Sequence, residues 1–243
     1  DKNNMLDSSN KIFFLREFLR YTTLRLIIYF CTMNSYTEEN YLKSIYHLGN
    51  NSSREETSTN SIADFLSIKP ATVTAMLKRL REKELISYER YGKVKLTEYG
   101  TNRALQIIRK HRLWEVFLVE KLNFKWDEVH EVAEQLEHIK SEKLINKLDQ
   151  FLEFPSHDPH GDPIPDHEGM IQQIPRITLS KAMPGKVYKV IAVNDSSSEF
   201  LAYLMQLQIT LSSSVRVIKR IEFDQSLEIS VNQKDIIISE KTI

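Results

Sequence analysis

His111 and Glu115 stand four residues apart, and a second group, His130, Glu134, Glu137 and His138, follows within thirty residues. On a helix, side chains three and four positions apart share a face. At 100° per residue, His130, Glu134, Glu137 and His138 fall within an arc of about 100°, beside an apolar arc of about 120° holding Val129, Val132, Ala133, Leu136 and Ile139. Two carboxylates and two imidazoles crowded on one face repel or desolvate one another unless a cation lies among them. Histidine and glutamate without a thiolate suit Mn2+, Fe2+ or Zn2+. The pattern points to metal ligation, and an antiparallel neighbouring helix could bring His111 and Glu115 to the same place. The competing reading is an exposed Glu-rich helix with incidental histidines. Metallohydrolases also use His and Glu at helical spacing, but the His-Glu-x-x-His signature is absent and nothing visible supplies a substrate cleft.

Positioning these groups takes two helices. Thr101 to Leu122 repeats apolar residues at helical spacing (Leu105, Ile108, Leu113, Phe117, Leu118), and Asp127 to Leu152 reads as one further helix. Ahead of them lies a different module. Tyr41, Leu42, Ile45, Tyr46 and Leu48 recur with helical period, then the polar run GNNSSREETSTN marks a loop. Ile62, Ala63, Phe65 and Leu66 make a short helix, and Pro70 opens another at the position where a missing N–H costs nothing. That helix turns Val73, Met76, Leu77 and Leu80 inward and Thr72, Thr74, Ala75, Lys78 and Arg79 outward. Two strands, Leu85–Arg90 and Lys93–Leu96, flank Tyr91-Gly92 as a hairpin. The sum is a winged helix-turn-helix over 33–100, in which Lys69, Ala71, Thr72, Thr74, Ala75, Lys78 and Arg79 face a major groove while Arg90, Lys93 and Lys95 meet phosphates. Winged helices also serve as protein-binding modules, and a charged helix face is otherwise merely solvated.

Charge and size fit this division. The chain has 243 residues, 33 basic and 33 acidic side chains and 41% apolar residues, enough to bury a sizeable core and too apolar for a disordered chain. Residues 61–100 carry eight Lys/Arg against five Asp/Glu, a local +3, whereas 127–168 carry three Lys and twelve Asp/Glu, a local −9. One part is thus suited to an anion and the other to a cation. A single cysteine, Cys31, forms no internal disulfide, so a reducing cytoplasm is the expected compartment. The stretch Ile12–Cys31 is apolar but interrupted by Arg16, Glu17, Arg20 and Arg25, a poor spanning helix and a poor signal peptide. Ser35 and Glu38 have capping-box spacing just after Met33, so residues 1–32 are expected to be an upstream extension outside the native fold. The rival is an amphipathic helix lying on a membrane surface.

Residues 154–176 hold five of the seven prolines and read as a linker or ordered crossing. His157, Asp158, His160 and Asp162 there could bind a metal, but Pro-Gly loops of this kind more often simply turn the chain. Residues 177–243 alternate as strands (KVYKVIAV, SSVRVIKRIEF, SLEISV, DIIIS) around one helical insertion and read as a small β-barrel.

Together these motifs resemble the metal-dependent repressors of the diphtheria toxin repressor and manganese transport regulator type. The resemblance runs from about Ser35 to Asp166 through EENYLKSIYHL, the helix-turn-helix, RKHRLWEVFLVEKL, VHEVAEQLEHIKSEKL and PHGDPIP, and more weakly to the C-terminus. It implies a mainly α fold with a small β domain: a winged helix-turn-helix, a helical metal-binding and dimerisation domain over 101–153, and a C-terminal SH3-like β-barrel. It implies a cytoplasmic homodimer, not an enzyme, that represses metal-uptake genes from a palindromic DNA operator, with no membrane and no small organic substrate as partner. By the same resemblance His111, Glu115 and His130 match one metal site and Glu134, Glu137 and His138 the other. Asn40 stands where the family usually has Asp or Met, with Glu38 or Glu39 as substitutes, and Glu199, Asp166 or Glu168 could donate a further carboxylate. Glu134 occupies a position that is Cys in iron-sensing relatives and a carboxylate in manganese-sensing ones, so Mn2+ is the expected cofactor and Fe2+ the alternative. A metal-dependent hydrolase or metal-storage protein with a winged-helix module, and a regulator sensing an organic ligand, are the rival readings.

Overall fold

The computed structural model describes residues 36–50, 57–88, 93–172, 174–193 and 197–242. The expected extension over 1–32, the Ser35 cap, Arg90 and the Tyr91-Gly92 turn lie outside these. The chain divides within one helix, at Ala104/Leu105, into two compact units.

In the first unit, α1 covers residues 36–50 and buries Tyr41, Leu42, Ile45 and Leu48. Helix α2 (Thr59–Phe65) starts from a capping box in which Ser58 and Ser61 satisfy each other's backbone N–H. Helix α3 (Pro70–Glu82) opens on Pro70 and turns Val73, Met76, Leu77 and Leu80 into the core. Strands β1 (Ile86–Tyr88) and β2 (Val94–Leu96) pair antiparallel with Ile86 opposite Leu96, so the two strands expected of the wing do pair. Helix α4 (Glu98–Leu122) follows at once. Its first turn is fixed by Thr97, whose hydroxyl accepts the Gly100 N–H at 3.0 Å and donates to the Glu84 carbonyl at 2.7 Å. Gly100 is required by contact: a Cβ there would lie 1.9 Å from the Leu85 carbonyl oxygen.

In the second unit, α4, α5 (Val129–Leu136) and α6 (Glu142–Phe151) share a core of Leu113, Val116, Leu118, Val129, Ala133, Ile145 and Leu148. The single helix expected over Asp127–Leu152 is therefore two. The Ser141 side chain accepts the Leu144 N–H and starts α6 afresh, with Glu142 in the first turn, a start signal that outweighs the continuing apolar period. The Arg109–Asp149 ion pair, 2.6 Å and almost fully buried on the arginine side, ties α4 to α6.

The proline-rich segment is ordered against this core. Arg112 of α4 donates to the Pro163 carbonyl and pairs with Asp158 and Asp162 at 3.4 and 3.3 Å, while the Asp158 carboxylate accepts the backbone N–H groups of His160 and Asp162. Gly161, at φ +86°, lies so close to the Ile191 carbonyl that a Cβ would come within 1.9 Å of it, and the Val193 N–H donates to the His160 carbonyl. Beyond it, β3 (Val187–Lys189), β4 (Ser214–Arg220), β5 (Leu227–Val231) and β6 (Lys234–Ile238) form an antiparallel sheet in chain order, with α7 (Ser198–Gln206) between β3 and β4. The expected barrel is thus, among the described residues, a four-stranded sheet with no pairing between β3 and β6. Strand β3 is three residues long, and beyond it Val190 exchanges backbone hydrogen bonds with Ser212 and Ser213.

Among the described residues, no helix is long and apolar enough to cross a membrane. Gly100→Ala should lower unfolding free energy by about 1–3 kcal/mol, the usual cost of forcing atoms into a filled space. A reduced urea midpoint with unchanged slope is the expected reading.

Candidate metal centre and DNA-reading surface

Helix α4 delivers His111 and Glu115 from one face, and α5 delivers His130 and Glu134 with Glu137 at its C-cap. The packing of these helices makes His111 the junction. Its Nδ1 lies 2.6 Å from Glu137 Oε2, and its Nε2 lies 3.0 Å from Glu115 Oε1 and 3.1 Å from His130 Nδ1. Glu115 and Glu137 are buried, at 2% and 0% exposure, so neither carboxylate reaches water.

Two groups of donor atoms result, His111–Glu115–His130 and His111–Glu134–Glu137, each with its atoms within 4.8 Å of one another. That is the spread expected of ligands arranged about one ion at bond lengths of roughly 2.0–2.4 Å. The resemblance assigned His111 to one site; the geometry places it in both groups. His138 is adjacent, its Nε2 3.8 Å from Glu137 Oε1. Asn40, in the other unit, has a buried amide oxygen without a hydrogen-bond partner among the described residues. Glu38 is turned to Lys83 and Arg79. Glu199 is exposed in the first turn of α7 and belongs to neither group, and Asp166 and Glu168 are exposed in the loop.

His160 joins the cluster from the proline-rich loop. It is buried, its Nε2 lies 3.6 Å from Glu115 Oε1, its ring stacks on Trp126, and neither ring nitrogen has a hydrogen-bond partner among the described residues. The sequence placed His160 in a turn, because a loop residue has no helical spacing to relate it to Glu115.

A metal fits this set on its chemistry. A neutral imidazole offers one N–H and one lone pair, yet His111 faces a carboxylate on each side and a second imidazole as well. Without a cation, an extra proton must sit between Glu115 and Glu137. Burial pushes the Glu115 carboxyl up, but hydrogen bonds with His111 and His130 and the nearby His160 imidazole outweigh it and hold the group well below its usual range. Burial also opposes charge on His160, yet the Glu115 carboxylate 3.6 Å away raises its pKa. Asp158 is pushed up to about 6 by burial and then by the Glu115 charge, against the pull of Arg112.

On the first unit, Lys69, Ala71, Thr72, Thr74, Ala75 and Lys78 are exposed along α3, and Lys95 on the wing is exposed with Lys93 half-buried. Arg79 is half-buried and directed at Glu38, 3.4 Å away.

The comparisons fit this geometry. Three family models match in order: the N-terminal DNA-binding domain of iron-dependent repressors over 33–94, their metal-binding and dimerisation domain over 97–166, and a FeoA domain over 177–242. A solved manganese-dependent transcriptional repressor in complex with manganese is 33% identical, covering 84% of this chain and 95% of that one, with a TM-score of 0.77. The chain belongs to the iron-dependent repressor family, that of the diphtheria toxin repressor. This family consists of DNA-binding regulators rather than enzymes. The iron-dependent repressor IdeR of Mycobacterium bovis is 36% identical over 132 residues, 53% of this chain and 55% of that protein. The chain thus spans about half the length of the IdeR relatives, and 16% of a Chlamydia trachomatis protein described as a probable metal transport system membrane protein, to which it is 46% identical over 70 residues.

The raised Asp158 group gives a pH signature. Its neutral form is favoured by folding, so its contribution to stability is fully present below about pH 4 and is lost as pH rises through about 6. Metal-free protein should lose about 1–3 kcal/mol from this source between pH 4 and 7. Urea titrations at the two pH values should show that loss removed in Asp158→Asn.

Proposed function

We propose that this chain is a manganese-activated repressor that binds a palindromic operator as a homodimer and silences metal-uptake genes. In this reading residues 33–100 read DNA, 101–153 bind metal and pair the subunits, 154–176 carry His160 to Glu115, and 177–243 form the closing domain. The observation that carries it is His111 held between the buried Glu115 and Glu137 carboxylates with Glu134 and His130 alongside, an oxygen- and nitrogen-only donor set. A divalent ion bound there would supply the positive charge that lets these carboxylates stay ionised together. Asn40 and His138 complete the proposed ligand set, and Glu199 is held as a further donor from the last domain. The chain's own residues then do the rest. The α4–α5 packing holds the donors, and the outward residues of α3 and the basic wing, Arg90, Lys93 and Lys95, meet the duplex.

A palindromic site demands two recognition helices about 34 Å apart. Leu122, Leu144, Phe151 and Phe154 are exposed at the end of α4 and on and just after α6, with Phe151 packed against Phe117 and under Lys121. A second copy is the occupant proposed for this apolar face, which lies within the stretch matching the dimerisation domain. By linkage, a metal that favours the DNA-competent state is bound more tightly when DNA is present. Iron is the second reading, supported by the IdeR likeness; Glu134 at the position that is Cys in iron-sensing relatives favours manganese.

Anaerobic titration of metal-free protein with Mn2+ and Fe2+, read by gel shift on duplexes selected from a random library, tests the assignment. A response to Fe2+ and none to Mn2+ would reverse the order of metals. Glu137→Ala should weaken Mn2+ binding by roughly tenfold or more and abolish the metal-dependent shift while the circular dichroism spectrum is retained. An unchanged metal-stimulated shift would count against the scheme. Separately, Phe151→Asp should convert the dimer to monomer in sedimentation at micromolar concentration.

A further inference from the structure

Glu38 is a charged side chain in the interior of the first unit, 8% exposed, and burial of an ionised carboxylate demands partners. Lys83 Nζ donates to both of its oxygens at 2.7 Å, and Arg79 Nη2 donates to Oε1 at 3.4 Å. Both cations come from the end of the recognition helix: Arg79 from its last turn and Lys83 from its C-cap. The residues expected to face bases begin at the other end, with Ala71 and Thr72. From Ala71 to Lys83 is twelve residues, about 18 Å along the helix. A rotation of about 5° about the anchored end moves the first turn by roughly 1.5 Å, enough to spoil hydrogen-bond distances to a base or phosphate.

We propose that Glu38 is a positioning residue for DNA binding, which fixes the recognition helix α3 against α1 through Lys83 and Arg79. This rests on the DNA-binding function and concerns α1 and α3 alone. Electrostatics makes the proposal sharp. Removing a negative charge from beside a DNA-binding helix should, through charge alone, tighten binding to phosphates. A strut does the opposite: without Glu38 the helix end is released and binding weakens. The neighbouring cations are also accounted for, since a lysine held by a buried carboxylate is not part of the footprint that displaces counterions.

The test uses the full chain and a duplex selected from a random library, with affinity measured with and without Mn2+. Glu38→Gln should weaken binding to the selected duplex about five- to tenfold in Mn2+, with the slope of log affinity against log salt unchanged. Lys83→Met should weaken it similarly, the double variant should be no worse than the weaker single variant, and Lys83→Arg should restore binding. Mn2+ affinity of DNA-free Glu38→Gln, measured by calorimetry, should equal that of the unaltered protein. Equal or tighter DNA binding by Glu38→Gln overturns the proposal, as does additivity in the double variant. Lost Mn2+ binding overturns it by making Glu38 a ligand. Because Lys83 is half-exposed, Lys83→Met keeps the test decisive should the buried substitution unfold the unit. If the unaltered protein binds no duplex, the functional reading and this inference fall together; if it binds and Glu38→Gln binds as well, this inference alone falls.

Discussion

The second unit is organised around a proton-counting problem at one imidazole. His111 has two nitrogens, and the structure surrounds them with two buried carboxylates and another imidazole, all within 3.1 Å. A proton can satisfy one carboxylate, and a doubly protonated ring can satisfy both, but the facing His130 nitrogen then has to supply a lone pair. A divalent cation removes the conflict because every group in the cluster can then act as a donor atom. Desolvated charge is costly unless paired, so the cluster couples the relative placement of α4 and α5 to whatever cation is available.

The rest of that unit is built to keep these groups dry and close. Arg109 with Asp149 locks α4 to α6, and Arg112 gathers Asp158, Asp162 and the Pro163 carbonyl, which brings the His160 loop down beside Glu115. The first unit solves a different problem with similar means. There the buried Glu38 carboxylate is paired with cations from the helix that presents Ala71, Thr72, Thr74 and Ala75. Electrostatic partners hold a surface in one unit and a cluster in the other, while ordinary apolar packing supplies the core of each.

How much of this was legible in the sequence depended on whether the relevant spacing was local. The α4 pair and the α5 group were readable because three- and four-residue spacings map directly onto a helix face, and the winged helix was readable because Pro70 and the apolar period mark its start and its buried side. The break between α5 and α6 is faint in the sequence because Ser141 acts through one backbone N–H, a signal weaker on paper than five well-spaced apolar residues. Glu38 read as a cap or a ligand because its partner Lys83 lies 45 positions away. His160 is hidden for the same reason, since only the folded loop brings it to Glu115. The last domain gave its strands by alternation, but whether a run of strands closes on itself depends on edge pairing, which alternation does not encode.

The fit of Gly161 under the Ile191 carbonyl has an architectural consequence. A backbone seated that tightly cannot behave as a tether, so the proline-rich stretch is held to the segment Ile191–Val193 that follows β3. Anyone exchanging the terminal module between relatives should therefore place the splice upstream of Ser156, because a junction at the apparent composition boundary would separate a lock from its keyhole and leave the imidazole it carries without a seat.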